Sequence, residues 1–229
     1  MSKILLTIDD IPQRVTVPMV DYLKENGIPA IFFAVGDNLA QYPEIAEYVL
    51  KQGYLIGNHS FTHPGFSDLP VEGGMAEILQ TEKLLDQLYE EAGIERIHRF
   101  FRFPYIDKGG ENREFYQNFL KMRGFKKPSD MMVNAKGYVE QGLDQELDVA
   151  CSFDCQEYNI PAATMTIDDV ITRLRTGDPG MGSSITDDST QIMLLHSHDE
   201  TEAIVPGYYK IILEEIKNLG GRFIPPEWK

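Results

Sequence analysis

Lys3-Ile4-Leu5-Leu6-Thr7-Ile8-Asp9-Asp10 is a short apolar run that ends abruptly in two acids. A run of this length and hydrophobicity reads as a strand buried on both faces, the kind found in parallel sheets. The same form recurs along the chain. Ile28–Val35 and Tyr54–Gly57 read as the second and third strands, Arg99–Phe103 as strand-like, and Cys151–Asp154 and Gln191–Leu195 as later ones, with Arg222-Phe223-Ile224 last. Between them lie segments with helical periodicity. Val17–Asn26 stops at Gly27, Pro43–Gln52 at Gly53, Met75–Ala92 at Gly93 and Tyr208–Leu219 at Gly220, each a candidate C′ glycine. Arg113–Arg123 and Ile167–Arg175 are also predicted helices, while 126–150 is expected to hold one irregular strand and some helix. About seven strand–helix units follow one another without a linker, so one domain over 1–229 is expected. Alternation of this kind implies parallel strands joined by right-handed crossovers. It fits an open doubly wound sheet or a closed barrel. The number of units and the position of the polar residues favour a TIM-like (β/α) barrel.

Composition sets outer bounds. The 229 residues carry a formal net charge of -15, which argues against a nucleic-acid partner and makes strongly anionic polymers poor substrates. No apolar run is long enough to span a bilayer, so no membrane partner is expected. Met1-Ser2-Lys3 runs straight into the first strand without the parts of a signal peptide. The expected location is therefore the cytoplasm, or outside the cell if a leader has been removed. Cys151 and Cys155 are the only cysteines. On one strand they would stand roughly 13 Å apart, too far to bridge, so two buried free thiols are expected.

The chemistry gathers just beyond the predicted strands. The first ends in Asp9-Asp10, the third runs into His59 and His63, and Arg99–Phe103 holds Arg102 and leads to Tyr105. The Cys151 strand ends at Asp154, near Glu157, and the Gln191 strand ends at His196. In a parallel barrel these ends share one rim, where barrel enzymes place their active sites. Adjacent acids after a strand are by themselves more often a turn or a cap. Here, however, two like charges would repel unless a cation neutralises one. His59 and His63 are spaced to converge on a metal, and with one carboxylate they make a three-ligand site with room for water and substrate. The second aspartate is left free as general base, and His196 is placed to act as general acid. A zinc-protease reading is weak, because no glutamate follows His59 and Pro64 disfavours a helix there. Of the remaining histidines, His98 is expected to pack or face solvent. His198 is either an exposed spacer or a substitute for His196.

In combination, Thr7-Ile8-Asp9-Asp10, Asn58-His59-Ser60-Phe61-Thr62-His63, Arg102-Phe103-Pro104-Tyr105 and Leu194-Leu195-His196 resemble the polysaccharide deacetylase family, carbohydrate esterase family 4, the NodB-homology domain. The four pieces stand in the family's order. The resemblance implies a distorted (β/α) barrel of about seven strands and a metal-dependent hydrolase that removes N-acetyl or O-acetyl groups from a saccharide or another N-acetylated small molecule. It implies Asp9 as catalytic base, Asp10, His59 and His63 as ligands of one divalent ion (zinc, with cobalt or nickel as alternatives), and Arg102 as the residue orienting the base. It further implies an oxyanion donor in the Tyr105 N–H, a methyl pocket at Leu194 and a leaving-group acid in His196. The sequence also departs from the family. Ile11-Pro12 stand where glycine usually follows the acids. Glu157-Tyr158, with Asp154 as a second candidate, stands where an acid beside a tryptophan orients the histidine, so Tyr158 becomes a candidate substrate contact. His196-Ser197-His198-Asp199 replaces a His-Asp pair. Two other readings compete: a barrel hydrolase of another amide or ester, and a non-catalytic saccharide-binding relative. Oligomeric state is not written in the sequence.

Overall fold

In the computed structural model, which describes residues 1–228, Ile4 to Asp9 are buried without interruption. This is the signature of a strand flanked on both faces, and β1 (Lys3–Ile11) is indeed central. It pairs in parallel with β2 (Ala30–Ala34) on one side and β5 (Thr190–His196) on the other. β3 (Leu55–Asn58) lies beyond β2, β4 (Phe153–Asp154) beyond β5, and the short β6 (Arg222–Phe223) against the start of β1. Six strands are therefore formed among the described residues, where about seven were expected. The Arg99–Phe103 segment, expected as a strand, makes only one bridge, Phe101 to Asn58. It still completes the wall. On one side Asn58 N–H donates to Phe100 O and Arg102 N–H to Asn58 O; on the other, Val149 N–H donates to Phe101 O. The chain from Val149 runs on into β4, so a distorted barrel results.

Nine helices surround it: α1 (Thr16–Glu25), α2 (Gly36–Gln41), α3 (Pro43–Lys51), α4 (Val71–Glu91), α5 (Arg113–Met122), α6 (Lys136–Glu140), α7 (Ile167–Thr176), α8 (Asp199–Ile204) and α9 (Tyr208–Asn218), counted among the described residues. α2 and α8 lay outside the sequence reading, because each is short and carries too few apolar residues to show a period. In 126–150 the expected irregular strand reduces to two isolated bridges, Pro128 to Trp228 and Val133 to Thr190, followed by α6. No helix among the described residues is long and apolar enough to cross a membrane. Both cysteines are free and buried.

Side-chain alternation sorts the strands into two cores. Ile4, Leu6, Ile8, Phe32, Met193 and Leu195 face outward into a cluster shared with α1, α3, α4, α7 and α9. Leu5, Ile31, Phe33 and Ile192 face inward, joined by Phe100 and by Tyr138 of α6. Gly57 belongs to this inner layer. A Cβ there would lie 2.2 Å from the Phe100 ring, so its missing side chain is what lets Phe100 fill the barrel. Toward the end of each inward-facing file the residues turn polar. On β1, Leu5 gives way to Thr7 and Asp9; on β5, Ile192 and Leu194 give way to His196. The ladder sets Asp9 directly opposite His196.

Candidate active site

A regular strand would point Asp9 into the barrel and Asp10 out of it. The register between β1 and β2 shifts between Ile8 and Ile11, and Asp10 takes a left-handed φ of 68°. This bulge brings both carboxylates to the same rim. Asn38 Nδ2 and Gln13 Nε2 donate to the Asp10 carbonyl at 3.0 and 3.4 Å and hold the bend. Ser60, His63, Tyr105, Ile106 and Gln156 share this left-handed conformation, and all lie in loops around the same rim. Such strain persists only where its surroundings enforce it.

The His59–His63 loop is enforced by residues the sequence reading had not singled out. Asn58 Oδ1 accepts the Ser60 N–H at 2.8 Å, and Glu77 of α4 accepts the Phe61 and Thr62 N–H groups at 2.8 and 2.7 Å. Asn58 is the last residue of β3 and stands inside a conspicuous motif, so it could have been found. Glu77 is sixteen residues from Phe61 and left no sequence signal. His59 is oriented by its Nδ1–H, which donates to Arg102 O at 2.9 Å; a carbonyl can only accept, so Nδ1 holds a proton and Nε2 is the nitrogen turned to the rim. That Nε2 lies 3.2 Å from His63 Nε2. Asp10 Oδ1 stands 3.4 Å from His63 Nε2 and 3.7 Å from His59 Nε2, and it is buried without a hydrogen-bond partner among the described residues. Burial and repulsion from His59 push the His63 pKa down to about 4 against the pull of Asp10, so its ring is neutral near pH 7. Two imidazole Nε2 atoms facing an orphaned carboxylate oxygen are a donor set suited to a divalent cation.

Asp9 has different company. It is 2% exposed, and its Oδ1 accepts from Arg102 Nη1 at 2.8 Å. Its Oδ2 lies 3.4 Å from His59 Nε2. Arg102 is fully buried, donates through Nη1 also to Thr7 Oγ1 (2.9 Å) and through Nε to Val149 O (2.7 Å), and lies 4.4 Å from the Phe33 ring centre. Thr7 sits two residues before Asp9 on the same face of β1, so one guanidinium braces both.

Across the rim, His196 Nδ1 meets Glu157 Oε1 at 3.1 Å, and Glu157 also accepts the His196 N–H at 2.5 Å. Glu157, rather than Asp154, is therefore the acid in contact with His196. Burial opposes the imidazolium, but the charge and hydrogen bond of Glu157, helped by Asp10 and Asp154, push the His196 pKa up to about 10. Burial raises the Asp154 carboxyl, whose Oδ1 accepts the Gln156 N–H at 2.9 Å. Tyr158 sets its ring edge-on to His196, with centroids 4.7 Å apart. The Tyr105 ring stands 4.7 Å from that of His63, and its backbone N–H makes no hydrogen bond among the described residues. Asp9, Asp10, His59, His63, Tyr105, Asp154, Tyr158, Leu194 and His196 line one cleft of about 600 Å³. His98 lies away from it, stacked on Trp228 at 4.1 Å. His198 is in the cleft and is neither spacer nor substitute: its Nε2 donates to Asp10 Oδ2 at 2.6 Å.

Comparison with known proteins identifies the family. The family model described as polysaccharide deacetylase matches residues 1–121, more than half of the chain. The chain belongs to the polysaccharide deacetylase family. Among curated relatives, a peptidoglycan-N-acetylglucosamine deacetylase of Bacillus cereus is 31% identical over 105 residues, 45% of this chain and 36% of that protein. A chitooligosaccharide deacetylase of Rhizobium leguminosarum bv. trifolii is 31% identical over 99 residues, 43% of this chain and 46% of that one. Each match thus spans less than half of the relative's length. Among solved structures, a polysaccharide deacetylase from Bacillus cereus superposes with a TM-score of 0.65 at 21% identity, covering 98% of this chain and 92% of that one. At that identity the likeness establishes the shared polysaccharide deacetylase fold.

Proposed function

We propose that this protein is a metal-dependent deacetylase that removes N-acetyl groups from N-acetylglucosamine-containing saccharides. The names of the curated relatives supply the substrate class. What carries the reading is the separation of two neighbouring acids: Asp9 is bound to Arg102, while Asp10 turns an unpartnered oxygen toward His59 and His63. A divalent cation, zinc first and cobalt or nickel as alternatives, would be held by Asp10, His59 and His63 and would supply Lewis acidity at the acyl carbonyl.

The chain's own groups do the rest. Arg102 holds Asp9 aimed into the cleft, and Asp9 removes a proton from the attacking water. The free Tyr105 N–H donates to the oxygen on which negative charge develops. Leu194, on the floor of the cleft, receives the acetyl methyl, and the Tyr105 and Tyr158 rings flank the sugar. His196, protonated at neutral pH because of Glu157, hands its proton to the leaving nitrogen.

Acetate release from N-acetylglucosamine oligomers tests the proposal. Metal-stripped protein is expected to be inactive and to regain activity with about one equivalent of zinc or cobalt. Zinc bound through these residues without acetate release would keep the site and reject the sugar amide as substrate.

A further inference from the structure

We propose that His198 is a positioning residue for the cation site, fixing the Asp10 carboxylate so that Oδ1 alone is offered to the ion. This rests on the reading of Asp10, His59 and His63 as the ligand set. The two oxygens of Asp10 have separate surroundings. Oδ2 takes the His198 Nε2–H at 2.6 Å, while Oδ1 has no hydrogen bond and faces the Nε2 atoms of His59 and His63. His198 does not itself belong to the group of mutually close donor atoms, which consists of Asp10, His59 and His63. It therefore acts through Asp10.

The imidazole can do this because its own backbone is locked. The His198 N–H donates to the Tyr208 hydroxyl at 3.1 Å, and that hydroxyl donates to His196 O at 2.5 Å. Ser197 Oγ is 2.8 Å from Thr16 Oγ1. Asp199 accepts the Val15 N–H at 2.8 Å, and its own N–H donates to Gln13 Oε1 at 2.8 Å. The His196–Asp199 turn is thus latched to the turn that follows Asp10. With Asn38 and Gln13 on its carbonyl and His198 on its carboxylate, Asp10 is fixed at backbone and side chain alike. A ligand whose outer oxygen is tied down loses less freedom when it binds, and outer partners of this kind typically contribute about 10–100-fold in metal affinity.

Zinc affinity, read by competition with a chromophoric chelator, tests the inference without reference to turnover. His198→Ala should weaken zinc binding by about 10–100-fold. His198→Gln, whose amide can donate to the same oxygen, should recover most of that loss. Thermal melts of the variants check that each is folded. Affinity unchanged in His198→Ala overturns the inference, and so does a folded His198→Gln as weak as His198→Ala. If wild-type protein binds no zinc, or binding survives the double change His59→Ala and His63→Ala, the ligand set itself is wrong and the role of His198 falls with it.

Discussion

Asp9→Asn should lower the rate of acetate release by about 10²–10⁴-fold while leaving zinc affinity close to that of the wild type. The asymmetry follows from the geometry. Asp9 is engaged by Arg102 Nη1 at 2.8 Å and is absent from the donor group formed by Asp10, His59 and His63. Asparagine preserves the shape and can still accept from Arg102, but its amide cannot take a proton from water. The loss should fall on kcat, because the group acts in the step that moves the proton and not in holding the sugar. Asp10→Asn should show the opposite pattern, with metal affinity lost first. A variant Asp9→Asn that retains most of its activity, or loses zinc as readily as Asp10→Asn, would show that the roles of the two acids are misassigned.

The largest effect on stability is expected at Arg102. Arg102→Met keeps much of the apolar stem but removes the donors to Val149 O, Thr7 Oγ1 and Asp9 Oδ1. It leaves Asp9 buried with no cationic partner of its own. Breaking a buried pair from one side typically costs about 3–5 kcal/mol, because the surviving charge is uncompensated. For a chain of this size that corresponds to a fall of about 6–20 °C in Tm. The double variant Asp9→Asn with Arg102→Met should recover part of the loss, since no charge is then stranded. Arg102→Lys should not rescue, because an ammonium cannot reproduce the planar donors that reach a strand carbonyl and two side chains together. Calorimetric melts decide this. A drop under about 2 °C for Arg102→Met would mean that the guanidinium is dispensable to the fold.

Much of this site is legible in the sequence, because a parallel strand ends where its apolar run ends. Asp9, His59, Asp154 and His196 could be placed on one rim from that rule alone. What could not be read was how the backbone bends there. The distinction between Asp9 and Asp10 depends on a bulge held partly by Asn38, twenty-eight residues away, and no local pattern announces it. Arg99–Phe103 read as a strand from its apolar content. Its burial arises differently: Phe100 fills the barrel, while Phe101 and Phe103 pack outward with Phe66 and Tyr116, so the ladder has only one bridge. The choice of Glu157 over Asp154 turned on the short helical turn after β4, which places Glu157 beneath His196. His198 did leave a signal. Two residues past His196 on extended chain, it shares the inward face, and period-two alternation alone aims it at the rim.

The most direct test of the account is the position of the ion itself. A crystal grown with one equivalent of zinc, with anomalous data collected at the zinc edge, should show a single strong peak. That peak should be bound by Asp10 Oδ1, His59 Nε2 and His63 Nε2, with Asp9 still paired to Arg102 and His198 still on Asp10 Oδ2. A second group of close donors, Asp154, Glu157 and His196, offers a clear alternative. A peak there, or one bound through Asp9, would contradict the division of roles on which the proposed function stands.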